Sequence, residues 1–391
     1  MITRLKEKEI ITHMKQFPIV AIIGPRQCGK TTMAKLLYRH KKNNLYFDLE
    51  SPSDKNKFKN PEYFLESLDA GVIIIDEIQR LPELFELLRS LVDKRKKKGK
   101  YLVLGSASPH LIKGVSETLA GRIAYTSVST LNLIEIYKKH SDINKHWFRG
   151  GFPDAWLAKT DQAWFNWMDN FFRTFIERDL NTLFGVQFSP DLMFKLWNML
   201  GHFNGSIWNA NSFGKGLNVS PTTINRYLDY LEGAFVMRKL PAYFVNTKKR
   251  LIKNPKVYVR DSGLLHYLTN VHHPKDVAFN PAIGNAWEGY VIEQIIQLLP
   301  SFIRPYYYRT HDGSEMDLVL VKGLRPIACI EIKTNNEPNL TRGFYECVTD
   351  LKCKEALVIT PFQETPYKIN SSVVVYGLHD FLQKKLPSLV K

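Results

Sequence analysis

Long apolar runs are absent from this sequence. No stretch approaches the roughly 20 apolar residues that a membrane-spanning helix requires. The opening, MITRLKEKEIITHMKQ, reads as an amphipathic helix and not as a secretory leader. A cytoplasmic protein with no membrane partner is the expectation. Cysteine is scarce, with Cys28, Cys329, Cys347 and Cys353 the whole complement. None belongs to a C-x-x-C pair, which removes the usual structural-metal spacing and leaves four reduced thiols as the reading. No N-K-x-D sequence occurs, which counts against a base-reading GTPase. Internal repeats and low-complexity tracts are also missing, so 391 residues must be shared among two or three distinct domains. Acidic residues are in deficit, 38 against 54 Lys and Arg, for a net charge of +16. That balance favours an acidic partner, of which nucleic acid is the commonest.

What is present begins with Gly24-Pro25-Arg26-Gln27-Cys28-Gly29-Lys30-Thr31, a match to G-x-x-x-x-G-K-[ST]. An apolar run, Ile19–Ile23, precedes it, and a helix-compatible segment from Thr32 follows. Strand, glycine loop and helix in that order let backbone N–H groups and the helix N-terminus cradle phosphate oxygens. Gly24 to Thr32 are therefore the expected nucleotide contacts. Lys30 is expected to reach the β- and γ-phosphates of ATP, and the Thr31 hydroxyl to ligate Mg²⁺. Cys28 reads as a small neutral filler of the loop.

A second element supports the first. Val72–Ile75 is an apolar strand ending in Asp76 and Glu77. Asp76 is expected to hold Mg²⁺, with Glu77 polarising the attacking water. The strand 101–105 ends at Ser106-Ala107-Ser108, where Ser106 or Ser108 either meets the γ-phosphate or caps the next helix. In Leu119-Ala120-Gly121-Arg122, the arginine is either an ordinary surface residue or a group that reaches a neighbouring subunit's γ-phosphate. The trans role would require a homo-oligomer. The run Lys94-Arg95-Lys96-Lys97-Lys98-Gly99-Lys100 is either a solvated loop or part of a basic surface.

The first 135 residues alternate candidate strands (18–23, 44–48, 72–76, 101–105, 123–128) with helical stretches, the pattern of a parallel sheet covered on both faces. Residues 136–200 read as helical, with a Trp/Phe stripe that buries a core. Residues 201–275 hold a Ser220-capped helix at 221–232 and then a basic hairpin with Lys248, Lys249 and Arg250. This is the outline of a winged helix, which with Lys215 either guides DNA or only packs. The last segment, 276–391, has a helix at 283–298, strands near 304–308, 316–322, 326–333 and 355–360, and a helix at 340–351. It carries Glu288, Asp317, Glu331 and Lys333. Glu331 and Lys333, two apart, share one strand face, and a hairpin would set Asp317 beside Glu331. Two carboxylates there are expected to suit a second Mg²⁺, with the lysine positioning water for phosphodiester attack. The alternative is a salt-bridged edge with no cleavage.

In order and spacing, GPRQCGKTT, IIIDEIQRLP, VLGSAS and LAGR resemble the AAA+-type, AAA_14-like P-loop ATPases of bacteria and archaea that carry a C-terminal DUF4143 region. FRGGFP (148–153) and FRTFIERDL (172–180) extend the resemblance over nearly the whole chain. The resemblance implies an α/β fold with four parts. These are a P-loop ATPase core (1–135), a helical lid or connector (136–200), a winged-helix-like domain (201–275) and a nuclease-like domain (276–391). It also implies Ser106 as the polar sensor and Arg122 as the finger. The helix–strand–strand–strand–helix–strand order of the last part resembles the PD-(D/E)XK nuclease core, with Met316 where a proline is frequent. The function expected is Mg²⁺-dependent ATP hydrolysis acting on or with DNA. The competing expectation is a nucleotide switch or protein-remodelling ATPase with an inactive C-terminal platform.

Overall fold

The computed structural model describes residues 2–39, 43–95, 97–108, 119–139, 141–244 and 250–391. The chain divides into two compact units. The first comprises Met1–Leu131, Asn170–Pro190 and Tyr227–Val236; the second comprises Asn132–Asp169, Asp191–Arg226 and Met237–Lys391.

The first unit is built on β1 (Ile19–Ile23), β2 (Leu45–Asp48), β3 (Ile73–Asp76), β4 (Tyr101–Gly105) and β5 (Ile123–Ser127). They form one sheet in the order β2-β3-β4-β1-β5, with every pairing parallel. Apolar runs make such strands because a parallel sheet is buried on both faces. Alternate residues serve opposite sides: Ile19, Ala21, Ile73, Ile75, Tyr101 and Val103 join one core, while Val20, Ile22, Ile74, Leu102 and Leu104 join the other. Helix Leu84–Arg95 covers the first core with Leu84, Phe85, Leu88 and Leu91. Helices Glu7–Gln16 and Lys30–Tyr38 cover the second with Ile10, Met14, Met33 and Ala34. The five strands expected from the sequence are thus found within one residue at each end.

The expected helical stretch is present as a series of helices, among them Ser141–Arg149, Asp161–Thr174 and Pro190–His202. The aromatic stripe buries Phe148, Trp164, Phe171, Phe172 and Phe175. In FRGGFP the glycines serve packing. Gly150 sits at φ +74°, and a Cβ there would lie 2.0 Å from Asp261 Oδ1. The Gly151 N–H donates to Asp261 Oδ2 at 2.8 Å.

In the second unit, β6 (Ser206–Ile207), β7 (Met237–Leu240) and β8 (Lys256–Val259) form an antiparallel sheet in the order β6-β8-β7. Helices Ala210–Leu217 and Pro221–Gly233 lie between β6 and β7 in the chain, and the Ser220 hydroxyl caps the second by accepting from the Thr223 N–H at 3.1 Å. A six-stranded mixed sheet follows, from β9 (Ile303–Arg309), β10 (Glu315–Lys322), β11 (Arg325–Ile332), β12 (Ala356–Thr360), β13 (Tyr367–Lys368) and β14 (Val373–Gly377). Its order is β13-β14-β12-β11-β10-β9. Helices Ile283–Ile296 and Arg342–Leu351 match the two expected there. The short β13 and the strand β14 had no counterpart in the sequence reading.

One expectation changes. Cys329 and Cys353 are joined by a disulfide, so only Cys28 and Cys347 remain as buried thiols. Cys329 lies on β11 and Cys353 follows the helix that packs near that strand, which brings together two cysteines 24 residues apart. The arms of the basic hairpin are also occupied. The Tyr243 N–H donates to Tyr307 O at 2.7 Å, and the Ile252 N–H to Arg309 O at 3.0 Å, so both arms extend along β9. Lys248 and Lys249 lie outside the described residues.

Candidate functional site

Parallel strands end at one edge of their sheet. The loop after β1, the Asp76-Glu77 pair ending β3 and Ser106 after β4 therefore become neighbours, because β3, β4 and β1 are adjacent. This is also where the strand order reverses, the usual position of a ligand crevice in such sheets. Gly24 leaves β1 hard against β5, and a Cβ on it would fall 1.9 Å from Val128 O. The helix Lys30–Tyr38 begins at Gly29 with no side chain capping its first turn. Its leading N–H groups are therefore available to an anion, as the phosphate cradle requires. Cys28 is fully buried, in keeping with a filler.

Lys30 is buried, and its ammonium donates to Gly24 O (3.0 Å), Pro25 O (2.7 Å) and Ser106 Oγ (3.0 Å). The Thr31 hydroxyl donates to Asp76 Oδ2 at 2.6 Å, and the Tyr46 hydroxyl reaches the same oxygen at 2.9 Å. Thr31 and Asp76 thus meet where a cation could be held between hydroxyl and carboxylate. This donor set fits Mg²⁺ with a triphosphate. Glu77 has a left-handed backbone (φ 53°, ψ 43°), an uncommon state for a residue with a side chain. Its carboxylate accepts from Ser106 Oγ at 3.2 Å and from the Gln79 amide. Burial pushes the Glu77 pKa up against the opposing pull of Lys30 and Arg26, with Asp76 and Glu50 adding to the rise. A carboxyl held this way is suited to take a proton from water.

Arg26, in the loop, pairs with Asp179 and with Glu50 at 2.5 Å, and Arg80 joins Glu50 at 2.6 Å. Asp179 is presented by the π-helical turn Phe175–Asp179 inside the FRTFIERDL stretch. Gln27, at φ 59°, supplies the loop's other left-handed residue beside the glycines. Thr32 lies in the first turn of the helix.

Arg122 lies elsewhere. It immediately precedes β5, and its carbonyl accepts from the N–H of Ile19, the first residue of β1. That is the amino edge of the sheet, opposite the loop. Its side chain pairs with Asp93 at 2.6 Å. Arg122 is therefore set away from the loop of its own chain. In the basic run, Lys94 pairs with Glu62 and Glu66, and buried Lys100 donates to Ala70 O at 2.7 Å. Lys96 lies outside the described residues. The Ser108 N–H donates to Gly233 O at 2.8 Å.

The second constellation is also assembled, within the second unit. The β10–β11 register pairs Leu318 with Ile330, which sets Asp317 beside Glu331. Asp317 Oδ2 accepts from the Ile332 N–H at 2.8 Å, and Lys333 pairs with Glu331 at 2.7 Å. The sequence reading missed Lys256. Its ammonium lies 2.8 Å from Glu288 Oε1 and 2.5 Å from Glu315 Oε1, and the Tyr258 hydroxyl donates to that Glu288 oxygen at 2.5 Å. Lys256 and Tyr258 share one face of β8, a signal available in the i, i+2 spacing of K-V-Y. Burial alone would lower the Lys256 pKa, but Glu288, Tyr258, Asp317 and Glu315 hold it well above the lysine range. Burial, Glu288 and Glu331 push Asp317 well above the carboxylate range. Among the described residues no three His, Cys, Asp or Glu side chains are arranged to hold a metal ion. As they stand, these residues do not fit a second Mg²⁺.

Comparison with known proteins gives the families of the domains. The AAA domain family AAA_14 matches residues 16–137, a domain of unknown function (DUF8612) residues 140–275, and a domain of unknown function (DUF4143) residues 283–381. Uncharacterized protein Rv2008c of Mycobacterium tuberculosis and uncharacterized protein Mb2031c of Mycobacterium bovis are each 37% identical over 358 residues, covering 91% of this chain and 79% of theirs. Among solved structures, the Walker-type ATPase paby2304 of Pyrococcus abyssi aligns with 68% of this chain and 96% of its own, at 14% identity and a TM-score of 0.45. By its sequence matches, the chain belongs to the family of P-loop ATPases that join an AAA domain to a C-terminal DUF4143 domain.

Proposed function

We propose that this protein binds ATP with Mg²⁺ at the Gly24–Thr32 loop, hydrolyses it, and works with DNA as a homo-oligomer in the cytoplasm. The carrying observation is the convergence of Lys30, the Thr31–Asp76 pair, Glu77 and Ser106 at one sheet edge. Lys30 exchanges its carbonyl partners for phosphate oxygens. Thr31 and Asp76 hold the Mg²⁺, which when bound offsets charge on the β- and γ-phosphates. Glu77 accepts the proton of the attacking water, Ser106 reports the γ-phosphate to Glu77 and Lys30, and Tyr46 and Gln79 orient the two carboxylates. Glu77→Gln is expected to retain ATP binding while turnover falls by roughly a hundredfold. Because the Glu77 pKa is raised, kcat/KM should climb with pH through a value above the ordinary glutamate range, as the carboxylate loses its proton. An acidic limb at the usual glutamate pKa would sink that assignment.

Arg122 completes a neighbour's site in this reading. Mixing Arg122→Ala chains, which keep an intact loop, with Lys30→Ala chains, which keep the arginine, is expected to restore turnover at mixed interfaces. Additive, unrescued activity in the mixture would exclude the trans role.

The DNA reading draws on the net charge of +16 and on the order of the middle elements. Helix, β6, two helices, β7 and β8 with the sheet order β6-β8-β7 support a winged helix spanning 201–275, and Lys215 and Arg226 are exposed. DNA-stimulated ATPase activity with salt-dependent binding is its test. The strand and helix order of 276–391 supports a nuclease-like fold, and cleavage there would be tested as metal-dependent nicking lost in Lys333→Ala. A second reading, an ATP-driven switch with an inactive C-terminal platform, is favoured by one observation: Lys256 lies among the carboxylates.

A further inference from the structure

We infer that the Lys256 ammonium is the resident cation of the Glu288–Asp317–Glu331 cluster and closes it to divalent metal. The inference uses no nucleotide and stands apart from ATP hydrolysis. Its basis is geometric. The Lys256 side chain is 5% exposed, reaches Glu288 and Glu315 within 2.8 Å, and is delivered by β8 rather than by the sheet that carries Asp317 and Glu331. A second donor from the same strand face, the Tyr258 hydroxyl, occupies the same Glu288 oxygen. Lys333 takes one oxygen of Glu331, and the Ile332 N–H takes one of Asp317. Arg309 pairs with Glu315 at 2.5 Å. The cluster thus has donors of its own from β8, β9 and β11. Only Glu331 Oε2 is buried without a hydrogen-bond partner among the described atoms of this cluster.

A Mg²⁺ ion collects oxygen ligands in a tight octahedron at about 2.0–2.1 Å, and Mn²⁺ takes the same octahedral oxygen sites. Such an ion cannot share Glu288 with an ammonium already held on that carboxylate, because like charges at that range repel strongly in a low-dielectric site. Conversely, the buried ammonium has no way to be stable there without those carboxylates. Lys256 and the divalent ion are therefore alternatives at one position.

The sign of a stability change separates the two. In a vacant metal site, neutralising one carboxylate relieves repulsion and raises Tm in EDTA. With Lys256 as the cation, Glu288→Gln strips a partner from a buried charge, and a Tm loss of about 5 °C or more is expected in EDTA. That loss should shrink in a Lys256→Met background, where no ammonium needs the carboxylate. Mn²⁺ titration of the full chain without nucleotide, read by electron paramagnetic resonance, gives the second measurement. Wild type should show no Mn²⁺ binding that depends on Asp317. Lys256→Met should gain one such site, and adding Asp317→Asn should remove it. A higher Tm for Glu288→Gln in EDTA overturns the inference. So does wild-type Mn²⁺ binding abolished by Asp317→Asn, or a folded Lys256→Met that gains no site. If Lys256→Met does not fold, the Glu288→Gln melt and the wild-type titration still decide.

Discussion

Lys30→Ala is expected to cut ATP turnover by about a hundredfold or more while the chain remains folded. Lys30 holds two loop carbonyls and the Ser106 hydroxyl together at the mouth of the loop, and its charge bears directly on Glu77. Its removal takes the one loop ammonium from a place where phosphate charge accumulates in the transition state, in a site whose other charged members include Asp76 and Glu77. Without Lys30 the burial that raises the Glu77 pKa is no longer opposed by this neighbour, so proton uptake by Glu77 is favoured further. Two defects follow from one substitution. Phosphate release measured alongside nucleotide binding separates them from unfolding, since the variant's circular dichroism should match wild type. Turnover within a few-fold of wild type would remove Lys30, and with it the loop, from the chemistry.

The largest stability loss is expected at Glu293. This side chain is 4% exposed in helix Ile283–Ile296, accepting from Arg238 at 2.5 Å and from Arg260 at 2.8 Å. Burial pushes its pKa up, but the two guanidiniums win and bring it down to about 2. Glu293→Gln keeps the shape and deletes the charge, leaving two largely buried arginines without that carboxylate. Breaking a buried pair on one side costs roughly 3–5 kcal/mol, which for a unit of this size lowers Tm by about 10 °C. The pH dependence has a definite sign. A carboxyl whose folded pKa is depressed stabilises above its unfolded value, near 4.5, and that contribution disappears as pH falls toward about 2. Calorimetry of wild type between those limits should show the second unit losing stability, with the variant much less sensitive. Equal acid sensitivity in both proteins would contradict the assignment.

The nucleotide half was readable because its chemistry is local in sequence. A loop of eight residues, a carboxylate pair at a strand end and a serine at another strand end each carry their own signal. The parallel sheet alone then decides that they meet. Strand and helix positions in the C-terminal sheet were legible for the same reason, through apolar runs of the right length. What escaped reading were partners supplied from far along the chain. Nothing local marks Tyr46 as the second donor to Asp76 or Asp179 as the counter-ion of Arg26, and the K-V-Y spacing sets Lys256 and Tyr258 on one strand face without telling that Glu288 lies opposite. Those pairings depend on which strand lies beside which. The disulfide was missed on similar grounds, since spacing alone does not tell that Cys329 on β11 and Cys353 meet. Arg122 shows the converse. Its motif left open a surface role or a neighbouring subunit's phosphate, and the direction of β5 sends it to the opposite edge from the loop of its own chain.

The first unit is assembled from three separate lengths of chain, the last ending at Val236. During synthesis, the loop and its carboxylates leave the ribosome early, whereas Asp179 and the final segment emerge only after a long stretch destined for the other unit. Domains generally fold as the chain emerges, but this one must wait. Its nascent form carries a phosphate loop whose Arg26 has yet to meet Asp179, so the first unit is complete only in the later part of translation. A fragment ending at residue 131, however carefully trimmed, would preserve that unfinished intermediate and not the mature nucleotide-binding half.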